Sequence, residues 1–548
     1  MRTPCLVLAT VLVAGCLLPD LELKRDSDKS NSVSDDDAGA PDVSTSKPDA
    51  DVEAPAKNAG AGGTTRSTGG AGGSGSRAGS GGAGSGSAGE AEQAGSEGAA
   101  GAAGAPSPTG PKPFAWSAPA LLENGSASAT GITMTRNRSG DSAVAWWQDS
   151  PDGFFWMSRF VNGVWDVRPF RVTGAYKPAS NNAQLFGLDG WVGLESNGTA
   201  QVLFKGSAMP ASDGVAYYWL RWSGQGSVTP QAHAFFLGDE SYGRIVSFTV
   251  AESGNATAIW SGAATSVATT VELFSNALGT SGWGEPKSLG SIVVDSTALA
   301  LYQTASNFRG DFVLVTADFL SNTGEFQVRT QRSGTISGPV TVTAPASLFI
   351  APIATLDDLG NATTVFPVSV KLDDPSAAFA PYFTRAAAWS NQWSAPERLA
   401  SKGDSPKTTI SPSGDLMVSW QENLAEMTDP PQTRIIARRY TSDHWDDPQT
   451  VADAAFISSH SVTSNTAGEV LVAWTQRDSA TDATIKQTLK CRRFDPKAGW
   501  GETGTIGGAS GDVSFVGLTL ADTGRALVVW RETPAGASVT DLKWSSTK

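Results

Sequence analysis

Gln148, Asp318, Glu422, Gln476 and Glu532 each stand eight residues after a glycine that recurs along the chain. Three further copies carry Gly206, Gly262 and Val368 at that place. A partial ring of amides and carboxylates suits sugar hydroxyls or a peptide backbone, because carboxylates accept hydrogen bonds and amides also donate them. Its ordinary alternative is polar termination of a strand. Adjacent carboxylates occur at Asp357-Asp358, Asp373-Asp374 and Asp446-Asp447. Glycosidic cleavage needs two carboxyl groups at a defined separation, although most loop acids are simply solvated. A set of bases also recurs: Arg159, Arg221, Arg385, Arg439, Arg493 and Lys543, most of them beside an aromatic residue. They read either as an anion-binding band or as long side chains lying across aromatic surface with hydrated heads.

Other chemistries find little footing. Of the three histidines, His233, His444 and His460, no two have the i, i+4 spacing of metal ligands. Cys491 is the only cysteine beyond the N-terminal segment that holds Cys5 and Cys16, so the body has no intramolecular disulfide and no cysteine-pair metal site. Neither a phosphate-binding loop nor a dinucleotide glycine pattern follows a strand, and no cofactor or metal is expected. The net charge of −14 argues against a nucleic-acid partner, which needs a basic face. The residues favour a binding or interaction module, with glycan or protein as ligand, over an enzyme.

The elements that carry these residues are repeats. The glycine that sets the count is Gly140, Gly198, Gly254, Gly310, Gly360, Gly414, Gly468 and Gly524, at steps of 50 to 58 residues. Six residues later stand Trp146, Phe204, Trp260, Thr316, Phe366, Trp420, Trp474 and Trp530, aromatic in seven of eight. Each unit reads as a short alternating strand, a turn closed by the glycine, and a near-continuous apolar strand such as Leu527-Val528-Val529-Trp530. Apolar continuity means that both faces are covered. A third strand and a short fourth piece with Trp and Pro follow, as in Trp393-Ser394-Ala395-Pro396, and Pro suits an outer edge. The last unit ends without a fourth piece, while the body opens on an orphan one, Trp116-Ser117-Ala118-Pro119. The expectation is all-β: an eight-bladed β-propeller of four-stranded blades over residues 113–548, its ring closed by the N-terminal strand.

These repeats resemble a group of secreted bacterial propellers built on G-x-A-x-V-x-W followed by G-W-x-x-P, and loosely the sialidase-like and lectin-like propellers. The resemblance implies a scaffold, with a sialidase-like glycosidase or polysaccharide lyase as the enzyme alternative and a structural envelope or adhesion component as a third reading. Sialidase Asp-boxes place an aromatic about three residues after the glycine, where the spacing here is six.

Residues 58–110 contain no Val, Ile, Leu, Met, Phe, Tyr, Trp or Cys and cannot bury enough apolar surface to fold. Residues 16–112 therefore read as a disordered tether, acidic first and then Gly/Ser/Ala-rich, spanning roughly 55 Å on average. Residues 1–15 read as a signal peptide. The run Leu12-Val13-Ala14-Gly15-Cys16 resembles the bacterial lipoprotein box. That resemblance implies cleavage before Cys16, acylation of Cys16 (typically with palmitate), and a membrane partner through the lipid. Leu17 rather than Asp after the cysteine implies the outer membrane of the cell envelope. Replacing Cys16 with Ser is expected to move the protein from the membrane to the soluble fraction on fractionation. Unchanged membrane association rules out the lipid anchor.

Overall fold

The computed structural model describes residues 110–547, apart from 124–127, 149–153, 173–189, 208–214, 225–230, 234–243, 263–269, 294–299, 319–323, 346–351, 370–378, 425–431, 478–486 and a few gaps of one or two residues. Cys16, the signal segment and nearly all of the tether lie outside the described residues.

The strands form eight antiparallel sheets of four or five strands, one per repeat. In the first blade the order from inside out is Ala129–Arg136, Ser142–Gln148, Phe154–Val161 and Val164–Trp165, with Phe170–Val172 on the same outer edge. Five blades divide the outermost strand in this way. Pro286 and Pro448 fall at such divisions, between Gly282–Trp283 and Lys287–Val293 and between His444–Trp445 and Gln449–Ala454, where a missing N–H does least harm. Consecutive innermost strands touch in chain order, and that of the eighth blade, Gly511–Leu520, touches that of the first. The molecule is an eight-bladed β-propeller.

The second strands are buried over most of their length, and from end to end in Ser142–Gln148 and Ala362–Ser369, because each lies between two neighbouring blades. The core is accordingly a set of layers between blades. Trp147 and Phe155 of the first blade pack with Val192 and Phe204 of the second, and Leu527 and Val529 of the eighth pack with Val144 and Trp146 of the first. The fourth blade, where Thr316 replaces the aromatic, adapts differently. Arg329 is buried there, reaching Leu289 O at 3.0 Å, Gln327 Oε1 at 3.1 Å and Thr316 Oγ1 at 3.5 Å.

Every repeat glycine has a positive φ, from 77° to 96°, the region that glycine enters without steric cost. Each donates its N–H back three residues, as Gly140 does to Asn137 O at 3.1 Å. These turns also lock neighbouring blades. Asn137 Nδ2 donates to Glu195 O at 3.0 Å, Asn307 Nδ2 to Asp357 O at 3.1 Å and Asn465 Nδ2 to Ala521 O at 3.3 Å, each crossing to the corresponding turn of the next blade.

The two ends of the propeller body share one sheet. Ala120 pairs with Trp544 and Leu121 with Lys543, and Trp116 bridges Thr547. Trp116 also donates its indole N–H to Cys491 Sγ at 3.3 Å, and Phe114 lies 5.0 Å from the Arg493 guanidinium, so the closing segment joins the seventh blade to the eighth. Beginning the chain at Gly110 is expected to leave the urea midpoint unchanged. Beginning it at Glu123 removes a packed tryptophan and the closing hydrogen bonds and should lower the unfolding free energy by on the order of 3 kcal/mol or more. Equal midpoints for the two truncations disprove closure by this strand.

Candidate functional site

The residues eight past each glycine lie in different blades, and none of the five lines the cavity described below. Gln148 is buried and donates to Glu123 Oε2 at 3.2 Å. Glu422, Gln476 and Glu532 accept the indole N–H of the tryptophan two residues earlier: Trp420 at 3.0 Å, Trp474 at 2.8 Å and Trp530 at 3.4 Å. Glu422 also receives Arg434 at 2.6 Å, and Glu532 receives Lys543 at 3.0 Å. Residues two apart on a strand share a face, so the acceptor sits beside the indole it satisfies. Asp318 ends Phe312–Asp318 opposite Ala300, and its side chain is outside the described residues.

The third-strand bases serve the blade interfaces. Arg159 lies over Trp222 at 4.7 Å, Arg385 over Tyr440 at 4.9 Å and Arg439 over Phe494 at 5.7 Å, each on the following blade. Their heads meet acids: Arg159 pairs with Asp166 at 2.9 Å, Arg439 with Asp415 at 3.1 Å, Arg221 with Glu195 and Arg493 with Glu469.

His460 is buried, with Nε2 3.1 Å from Ser419 Oγ and Nδ1 3.3 Å from Gln421 Nε2. The pair looks like a nucleophile and its base, but the tautomer is wrong for that role. The Gln421 amide donates to Nδ1, so Nε2 of the neutral ring carries the proton and donates to Ser419. Ser419 has no solvent exposure. Burial, aided by the charge of Lys407, pushes the His460 pKa down to about 3. His444 is exposed on the outer rim, 3.8 Å from Asp446. The side chain of His233 and the pair Asp373-Asp374 lie outside the described residues.

What the topology does bring together is at the ring axis. Where the innermost strands run into the glycine turns, they enclose a cavity of about 290 Å³. Among the residues of its wall are Thr135, Arg136, Ser306, Phe308, Asp357 and Asp358, with Thr249, Thr355 and Thr408 beside them. Thr249 and Thr355 are 6% and 8% exposed, and their Oγ1 atoms have no hydrogen-bond partner. Burial pushes the Asp357 carboxyl above its usual range, against hydrogen bonds from the Asn361 side chain at 2.5 Å and the Asn361 backbone at 2.7 Å.

Two arginines of the first blade cross this end of the channel. Arg138 reaches Asp358 Oδ2 in the fifth blade at 2.5 Å and Glu252 Oε2 in the third at 3.4 Å. In a ring of eight, the first and fifth blades are opposite, so the side chain crosses the axis. Arg136 turns the other way, donating to Ser464 O at 2.6 Å and Leu520 O at 3.0 Å in the seventh and eighth blades. Phe308 of the fourth blade faces both guanidinium groups, at 5.2 Å from Arg138 and 5.6 Å from Arg136. Burial pushes the Arg136 pKa down to about 10, while Asp522 acts in the opposite direction. No group of acids, histidines and cysteines suited to a metal occurs among the described residues. Of this site, sequence reasoning singled out only the Asp357-Asp358 pair, as adjacent carboxylates, and missed the rest. The further local signal was two arginines where the innermost strand runs into its turn, Arg136-Asn137-Arg138.

No protein family profile matches the chain, and no curated protein matches it. Several solved structures are similar in architecture. One is an ulvan lyase, described as a new family of polysaccharide lyase and bound to -[GlcA(1-4)Rha3S]-, with TM-score 0.42 and 10% identity over 67% of this chain and 94% of that one. Another is the polysaccharide lyase Uly1, with TM-score 0.40 and 10% identity over 76% and 89%. A third is an alpha-L-arabinanase of Penicillium chrysogenum complexed with arabinobiose, with TM-score 0.32 and 9% identity over 78% and 98%.

Neutral burial of His460 has a pH consequence. Between about pH 3 and 6.5 the unfolded chain binds a proton at this histidine that the folded chain does not, so stability falls as pH falls through that window. At pH 5 the cost is roughly 2 kcal/mol relative to pH 7.5. His460→Gln is expected to flatten the melting-temperature profile between pH 7.5 and 5 relative to the native chain. Parallel profiles exclude the assignment.

Proposed function

We propose that this propeller is a saccharide-binding component of the bacterial cell envelope, lipid-anchored at Cys16 and engaging glycan in its central cavity. One observation carries the reading: the innermost strands of six blades line one cavity of about 290 Å³ at the ring axis, and Thr135, Arg136, Ser306, Asp357 and Asp358 stand on its wall beside Phe308. Hydroxyl, carboxyl and guanidinium groups on one wall suit a ligand that both donates and accepts hydrogen bonds. Sugar hydroxyls do both. The Phe308 ring offers apolar surface to the C–H face of a pyranose, and the Arg136 guanidinium adds donors.

The second reading is a sialidase-like glycosidase or polysaccharide lyase. It is supported by the adjacent carboxyls of Asp357 and Asp358 on the cavity wall. Their environments differ: burial raises the pKa of Asp357, whereas Arg138 holds Asp358 as its ion-pair partner. Unlike environments are how one site separates an acid from a base.

A glycan array probed with the full chain tests the first reading. Ser306→Trp, which sets a bulky ring on the cavity wall at an exposed position, is expected to weaken binding by about 10- to 100-fold with little change in melting temperature. An array that stays blank overturns the saccharide reading. Release of reducing ends or of unsaturated products from a bound polymer, lost in both Asp357→Asn and Asp358→Asn, replaces binding with catalysis.

A further inference from the structure

We infer that the central cavity receives the end of a glycan chain and does not hold an internal stretch of a polymer threaded along the ring axis. The inference rests on the saccharide reading of the cavity and concerns which part of the saccharide enters. Arg138 spans from the first blade to Asp358 of the opposite blade, with Glu252 of the third blade bound to the same guanidinium. A chain running down the axis meets this bar at the glycine-turn end. Phe308 backs the bar, and Arg136 occupies the side toward the seventh and eighth blades through Ser464 O and Leu520 O.

The cavity lies against these groups, since Arg136, Phe308 and Asp358 belong to its wall. At about 290 Å³ it has room for one or two sugar units and not for a long segment. The polar residues of its wall come from several blades: Thr135 and Arg136 from the first, Ser306 from the fourth, and Asp357 and Asp358 from the fifth. A terminal unit presents hydroxyls around most of its ring, whereas an internal unit has two positions occupied by glycosidic bonds. Donors and acceptors spread around the cavity wall therefore match a terminal unit better.

The bar is built to persist. Asp358 is 6% exposed and takes both the Arg138 guanidinium and the Phe308 backbone N–H, the latter at 3.2 Å. Arg138 is held through its own backbone N–H, which donates to Glu252 Oε1 at 3.0 Å. Swinging this side chain out of the axis would leave a nearly buried carboxylate without its cation, an arrangement proteins rarely adopt.

Xylan, laminarin and alginate, each whole and after partial acid hydrolysis to about one tenth of the chain length, provide the test with the full-length protein. An end-binding cavity responds to the concentration of chain ends, so at equal mass the shortened polymer that binds should compete about tenfold better. Binding that follows total mass irrespective of length overturns the inference and leaves the saccharide reading standing. Failure of every polymer and oligomer overturns the saccharide reading itself. Arg138→Ala is expected to reduce the dependence on length by opening the axis. If that variant does not fold, the comparison of lengths on the native chain decides alone.

Discussion

The ring depends on one pairing, that of Ala120 and Leu121 with Trp544 and Lys543. A sheet with a free edge can recruit other chains, and a ring of blades that does not close exposes such an edge together with an uncovered apolar layer. Here the first strand of the body supplies the outer strand of the last blade, so both problems are resolved at once. Closure also fixes the distance between opposite blades. Every contact across the axis presupposes that distance.

Within the closed ring, polar contacts fall into two groups with different jobs. The turn residues fasten each blade to the next at the level of the glycine hairpins, through asparagine side chains aimed at a neighbouring carbonyl. Farther out, the third-strand arginines lie on aromatic rings of the following blade and bind acids at the turns. The apolar layers between blades supply most of the burial, and these contacts set their registry. The fourth blade illustrates the tolerance of the design. A missing tryptophan is replaced by an arginine from the third strand that finds three oxygen acceptors.

The channel end breaks the repeat symmetry. Only the first blade sends two arginines inward, and the acids, carbonyls and ring that receive them belong to five other blades. Unlike the glycine turns, this arrangement does not help to build a blade. It gives the axis a closed end and sets the Arg136 guanidinium in the cavity wall across from Asp357 and Asp358.

The sequence by itself determined the number of blades, the strand order within each and the sharing of one sheet by the two ends of the propeller body. Those features are local and repeated: a glycine with a positive φ, an aromatic six residues on, and an orphan fourth piece at the start of the body. It was less informative on side-chain roles. Glu422, Gln476 and Glu532 read as a binding ring, but each stands two residues from a tryptophan on the same strand face, where its nearest need is the indole N–H. Only the tertiary structure decided the axial site. Arg138 meets a partner 220 residues away, and Arg136 meets partners 328 and 384 residues away. Such contacts follow from ring radius and blade count, because the side chain must span the channel to the opposite wall. A strand pattern records which face of a strand is buried, and it holds no information about what lies across an axis.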